Sequence, residues 1–249
     1  MRFRINIIRF EKLDSTNKKA KELQKERDLP EGSIVISDEQ YAGRGYGTNT
    51  WESAAGKNIT ATWILKPNFL KADQQFAITK AISVAVKNTV KHFYSGENAI
   101  TIKWPNDIYA GNKKIAGILV ENNILGNDIM DCFAGIGLNV NQEVFHSDAP
   151  NPVSIKILSG QQIDLEDCLR VLSENIGKFY YHIREFGPDA LNTEYLNSLY
   201  RIGEMAEFVS NEKNIQGRIT GTDNFGRLEL ELKTGEKKLF DFKEISFLI

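Results

Sequence analysis

The chain has 249 residues, 41% hydrophobic and 26% charged, close to the usual globular mix, which excludes wholesale disorder and fibrous architecture. Its 31 basic and 33 acidic side chains leave a formal charge of −2, too balanced for a dedicated nucleic-acid binder. No run approaches the ~18 apolar residues needed to cross a bilayer, and the opening MRFRINIIRFEKLDS lacks a cleavage site, so a soluble protein that stays in the cytoplasm is expected.

The strand-like stretch Ile5 to Phe10 comes first, followed by N-cap candidates Asp14-Ser15-Thr16-Asn17 before KKAKELQKE, whose Ala20 and Leu23 share a helical face. This short helix should stop before Pro30. Ser33 to Ser37 and Asn58 to Leu65 are β-branched and short, and the polar, glycine-containing stretch between them fits neither periodicity. A long loop of that kind invites a functional reading. From about Asp73 to Phe93, Ile78, Ile82, Ala85, Val86, Val90 and Phe93 recur at helical spacing and predict a long helix packed on a sheet.

Three further strands are expected in ITIKW, KIAGILVENNI and DIMDCFAGIGLNV, the first two joined through Ala110-Gly111-Asn112 and the last two through Leu125-Gly126-Asn127. In the next stretch Leu165, Leu169, Leu172, Ile176, Phe179, Ile183 and Phe186 form one stripe, with Asp164 placed to cap its start and Gly187 its end. Pro188 to Tyr200 is read as a last helix. Beyond about Arg201, AEFVS, IQGRITG, RLELELK and KKLFDF are short strands separated by turns. They predict a small antiparallel β module that docks on the larger part, because some fifty residues make a poor independent core.

Cys132 and Cys168 lie far apart without metal-ligand spacing and are read as buried small hydrophobes. The isolated His92, His146 and His182 argue against a protein-held metal.

Gly43-Arg44-Gly45-Tyr46-Gly47 puts three glycines and an arginine into the irregular loop, a composition that lets backbone N–H groups approach an anion. Thr48 stands where G-x-G-x-x-G needs glycine, and no G-x-x-x-x-G-K-[ST] occurs, so dinucleotide-fingerprint and P-loop readings both fail. In Lys103-Trp104-Pro105-Asn106-Asp107 the proline fixes the backbone where a carboxamide and a carboxylate are presented together. Lys114 opens an apolar strand, either as a cation facing a cleft or as a snorkelling edge lysine. Gly135-Ile-Gly137-Leu-Asn139-Val-Asn141 alternates small and carboxamide residues with apolar ones, and glycine there lets a flat ligand lie against the backbone or marks a bulge.

Taken together these segments resemble the biotin protein ligases, the biotin-[acetyl-CoA-carboxylase] ligases. The resemblance rests on LDSTN (Leu13 to Asn17), Gln40 with AGRG (Ala42 to Gly45) and Trp51, KWPND (Lys103 to Asp107), KIAGILVE (Lys114 to Glu121) and GIGLNVN (Gly135 to Asn141), in family order. It implies an α+β fold like that of class II aminoacyl-tRNA synthetases, a mixed and mainly antiparallel sheet with helices on one face. Residues 1–200 would form the catalytic part and 201–249 a small C-terminal SH3-like barrel packed near the active site. With LDSTN starting at residue 13, no DNA-binding domain and no operator binding are expected. A monomer or homodimer without membrane contact is the expected assembly.

The activity implied is ATP-dependent formation of biotinyl-5′-AMP, followed by transfer of biotin to a lysine of a biotin carboxyl carrier domain. By that resemblance Arg44 and Lys114 offset the repulsion between two anions, and Asp107 assists the carrier lysine, whose ordinary pKa of ~10.4 leaves little free amine at neutral pH. Ser15, Thr16, Asn17, Gln40, Gly43, Arg44, Gly45, Tyr46, Lys114 and Gly117 are the expected biotin contacts. Arg44, Tyr46, Trp51, Asn106, Lys114 and Asn139 are expected at ATP or the adenylate, with Mg²⁺ on the triphosphate. The alternatives are a lipoate-protein ligase and a non-catalytic biotin- or carrier-binding module. One departure stands out: many relatives read GRGRRG, whereas Tyr46 stands here in place of the second arginine. Faster escape of the adenylate is the expected consequence, measured as the half-life of purified intermediate on the wild type and on Tyr46→Arg.

Overall fold

The structure, a computed structural model, describes residues 3, 6–47, 49–146 and 151–248. Ile5 and Thr48 lie outside the described residues. A seven-stranded sheet forms the centre, built from β1 (Asn6–Leu13), β2 (Ser33–Gln40), β3 (Ile59–Leu65), β4 (Ile100–Lys103), β5 (Asp107–Ala110), β6 (Lys113–Leu125) and β7 (Asp128–Leu138). Its order is β1-β2-β3-β7-β6-β5-β4. Only the β1–β2 pair is parallel, its crossover being α1 (Thr16–Arg27); the other neighbours run antiparallel.

The period-2 geometry of strands sorts this sheet into two unlike faces. On one, Ile34, Ile36, Ala61, Trp63, Leu65, Ile118 and Ile136 join the main core with α2 (Phe76–Phe93) and α4 (Leu165–Phe186). The α4 stripe is the expected one through Ile183, Asp164 caps it by accepting from the Asp167 N–H at 2.8 Å, and Gly187 ends it at φ 93. On the other face Ala20 and Leu23 of α1 pack with Val35, Ile64 and Phe133 in a smaller cluster. The expectation of helices on one face is therefore corrected. α1 covers only one end of the second face, and the remainder is left open.

Three other expectations change. Lys103 and Asp107 pair across the tight turn of KWPND, so an extra strand, β5, stands between β4 and β6. The turn at Gly111, at φ 56, then joins β5 to β6, not β4 to β6. Within Pro188 to Tyr200 only α5 (Asn192–Leu196) is helical, and α3 (Ile155–Ser159) was not anticipated. The C-terminal strands β8 (Met205–Ser210), β9 (Lys213–Thr222), β10 (Leu228–Leu232), β11 (Lys237–Phe240) and β12 (Ser246–Phe247) do form an antiparallel sheet. Among the described residues this sheet is open, ordered β11-β10-β9-β8-β12, and not a closed barrel. It docks on the larger body as expected: the buried Trp104 indole donates to the Gly226 carbonyl at 2.8 Å and packs 5.2 Å from the Phe242 ring.

Candidate active site

Register places the chemistry. One transverse row of the open face runs Thr60, Gly137, Gly117, Asp107, Lys103 across five strands, and the next row runs Thr62, Gly135, Leu119. Glycine at three of these positions makes a floor without side chains. Above it lies a cavity of about 320 Å³, within the size range of small-ligand pockets.

Trp51 and Asn17 lie directly on that floor. A Cβ at Gly137 would sit 2.3 Å from the Trp51 indole, one at Gly117 3.0 Å from it, and one at Gly135 2.2 Å from Asn17 Oδ1. The flat group against the backbone is thus, in part, the protein's own tryptophan. Its Nε1 is buried against the Gly137 backbone without a hydrogen-bond partner among the described residues. Gly43 lets the loop fold back beneath Trp51: its carbonyl accepts from the Trp51 N–H at 2.9 Å, and a Cβ would stand 2.4 Å from the Trp51 carbonyl oxygen.

At the start of α1 the polar residues look into the cleft and do not cap the helix. Ser15 is the N-cap residue, but its side chain makes no capping bond. The Thr16 N–H donates to Gln40 Oε1 at 2.7 Å, Asn17 Nδ2 donates to Glu121 at 2.8 Å, and the Thr62 hydroxyl lies 2.6 Å from Asn17 Oδ1. Burial raises the Glu121 carboxyl, but Lys21, the Asn17 amide and the Arg44 charge outweigh it and hold the pKa below the usual range.

Lys114 owes its direction to a bulge. Ile108 pairs with Ala116 but Tyr109 pairs with Lys114, so Ile115 is the extra residue. Ile115 enters the main core and Lys114 turns to the cleft. There its ammonium meets Asp107 Oδ1 at 2.8 Å and stands 5.6 Å from the centre of the Trp51 ring. Asn106 locks the same corner, donating from Nδ2 to the Ile118 carbonyl at 2.5 Å.

Of the expected site residues, Ser15, Thr16, Asn17, Gln40, Arg44, Gly45, Tyr46, Trp51, Asn106, Asp107, Lys114 and Gly117 line this one cavity. Gly43 and Asn139 are not among its walls. Asn139 is buried beside it, donating to the Val153 carbonyl at 3.1 Å. The walls also include Ile118 and Leu119 of the KIAGILVE run and, unannounced by any motif, Asn49, Thr50 and, from the C-terminal part, Phe242, Lys243, Ile245, Ser246 and Phe247. Lys103 lines it too, its ammonium 5.1 Å from the ring centres of both Tyr109 and Phe247. Burial lowers the Lys103 pKa, with Asp107 opposing and Lys114 adding to the effect. Arg44, Lys103, Lys114 and Lys243 face Asp107 as the one carboxylate among the described lining residues. That excess of positive charge, in a chain of net −2, suits an anionic ligand.

A profile of the biotin/lipoate A/B protein ligase family matches residues 9–139. The bifunctional ligase/repressor BirA of Bacillus spizizenii is 30% identical over 242 residues, covering 94% of this chain and 72% of that protein. The biotin–[acetyl-CoA-carboxylase] ligase of Paracoccus denitrificans is 27% identical over 90% of this chain and 93% of its own length. Among solved structures, the biotin protein ligase of Aquifex aeolicus in complex with biotin and ATP superposes with a TM-score of 0.79 at 22% identity, covering 98% of each chain. The chain belongs to the biotin/lipoate A/B protein ligase family and is a ligase. Its relatives place it among the biotin protein ligases of that family.

Proposed function

We propose that this ligase joins biotin to ATP as biotinyl-5′-AMP and then passes biotin to a lysine of a biotin carboxyl carrier domain. The observation that carries the reading is the Lys114–Asp107 pair, 2.8 Å apart at one end of the glycine-floored cleft. In the first step a biotin carboxylate oxygen attacks the α-phosphorus and the bond to pyrophosphate breaks. Both reactants are anions, so Lys114 and Arg44 act by offsetting their repulsion and the charge that develops at phosphorus. In the second step the carrier amine attacks the acyl carbon and AMP leaves with the bonding electrons. Asp107, freed as Lys114 turns to phosphate, attracts the carrier ammonium and takes its proton.

Ser15, Thr16, Asn17 and Gln40 form the end that reads the ureido ring, with Gly45 and Gly117 admitting the ligand close to backbone and Gly43 acting from behind by seating Trp51. Trp51, Tyr46 and Asn106 belong to the nucleotide end, and Asn139 supports the strand end from below. Mg²⁺ would be held mainly by phosphate oxygens and water. Among the described residues no group of three or more His, Cys, Asp and Glu side chains is gathered to bind a metal unaided. Residues 1–200 are read as the catalytic part and 201–249 as a small C-terminal β part that completes the cleft.

The test is incubation with ATP, Mg²⁺, biotin and an isolated carrier domain, followed by intact mass of the carrier, with lipoate and no-ATP controls. A biotin-sized gain that requires ATP is expected. A gain with lipoate alone would reassign the substrate, and no gain with either would overturn the reading.

A further inference from the structure

Lys243 lies far in sequence from every motif that builds the cleft, yet it lines the same cavity as Arg44 and Lys114. Its ammonium sits 5.6 Å from the centre of the Tyr46 ring, and a Cβ at Gly47 would come within 2.3 Å of Nζ. The neighbouring Phe242 meets the Tyr46 ring edge to face, 5.7 Å between centres and 76° between planes. The glycine loop is thereby fastened to the C-terminal sheet, with a cation resting on its aromatic residue.

The backbone shows that lysine stands at this position against local preference. Asp241 to Glu244 form a turn closed by the Glu244 N–H on the Asp241 carbonyl at 3.1 Å, and Lys243 is its third residue, at φ 74. A positive φ there is the type II pattern, which favours glycine. A lysine held in the left-handed region is strained, and strain of this kind gathers where a side chain is needed at a site.

We infer that Lys243 is a nucleotide-binding residue, a cation carried to the triphosphate end of the cleft by the C-terminal sheet and seated on Tyr46. The inference rests on the ATP-dependent reading above. Where the loop bears Tyr46 and no second basic residue, the positive charge at its tip comes from a segment almost two hundred residues later in the chain. Tyr46 then serves as the platform for that charge.

The test is titration of the full chain with ATP·Mg²⁺, with inorganic pyrophosphate and with biotin, using Lys243→Gly, Lys243→Met and Lys243→Arg. Lys243→Gly removes the charge and relieves the left-handed strain, so its melting temperature should equal or exceed that of the wild type. Loss of ATP affinity in that variant could then not be a folding defect. Loss of one charge-assisted contact predicts about tenfold weaker ATP and pyrophosphate binding for Lys243→Gly and Lys243→Met. Biotin binding should be unchanged, and Lys243→Arg should retain ATP affinity within about twofold, since it keeps the charge. If the wild type binds ATP and both uncharged variants match it, the role of Lys243 is overturned while the ligase reading stands. If the wild type itself binds no ATP, the ligase reading fails and this inference with it.

Discussion

The Trp51 indole lies so close above Gly137 that a Cβ there would fall 2.3 Å from it, while the equivalent atom at Gly135 would fall 2.2 Å from Asn17 Oδ1. Two glycines one strand repeat apart thus support different side chains of one cleft, Trp51 and Asn17. Gly135→Ala should displace Asn17 and weaken biotin binding by at least about tenfold, the scale of one or two lost hydrogen bonds. Gly137→Ala should move Trp51, shift tryptophan emission and weaken ATP more than biotin. Calorimetric titration of both ligands checks the pair, and equal losses of both ligands in both variants would contradict the division.

Lys114 is aimed by the bulge at Ile115. Lys114→Ala should lower the rate of biotin-dependent ATP–pyrophosphate exchange by roughly 10² to 10³, the loss typical of one preorganised donor. Biotin affinity should change far less. Asp107→Asn should spare that exchange relative to transfer to the carrier, so the ratio of the two rates separates the partners of one ion pair.

Buried thiols give an alkaline stability signature. Burial pushes Cys168 up to about 12 and Cys132 higher still, with Asp167 and Asp131 adding to the shift. Their folded pKa values exceed the unfolded ones, so their contribution to stability is complete below the unfolded pKa of ~8.5 and is lost as pH rises through the folded values. At pH 10, ~1.5 units above the unfolded value, each thiol should have given up about 2 kcal/mol. Urea unfolding at pH 7 and pH 10 should therefore show a smaller loss for Cys132→Ala and Cys168→Ala than for the wild type.

The Trp104 indole N–H reaches the buried Gly226 carbonyl at 2.8 Å. Trp104→Phe keeps an aromatic ring against Phe242 but leaves that carbonyl unpaired, at a cost of about 1–3 kcal/mol. Chemical denaturation measures the loss, and an unchanged midpoint would mean that the C-terminal sheet is held by packing alone.

The chemistry was legible where it is local. Gly43 to Tyr46, Lys103 to Asp107 and Lys114 are short runs whose residue types mark them as candidates, and all but Gly43 of those single positions expected at the site reach the cavity wall. The α4 stripe was equally plain, because one face of a long helix repeats the same demand six times before Phe186, the seventh expected position, turns out exposed. What escaped was set by contacts distant in sequence. β5 is four residues long and gains its identity only from pairing with β4 and β6. The side of the sheet that α1 occupies depends on Val35, Ile64 and Phe133, whose parity is fixed by register with neighbouring strands. Phe242 and Lys243 carry no motif at all. Asn139 reads like a ligand residue but is drawn under the strand end by the Val153 carbonyl.

Two walls of the cleft come from Ser15 to Asn17 and from Phe242, Lys243 and Ile245 to Phe247, with most of the chain between them. Synthesis proceeds from one of these walls to the other. The floor, the helix start and the glycine loop can all be in place while the last wall has yet to leave the ribosome, and until it docks through Trp104 and Phe242 the pocket has one open side. Closing that side therefore depends on packing between segments that are remote from each other in sequence.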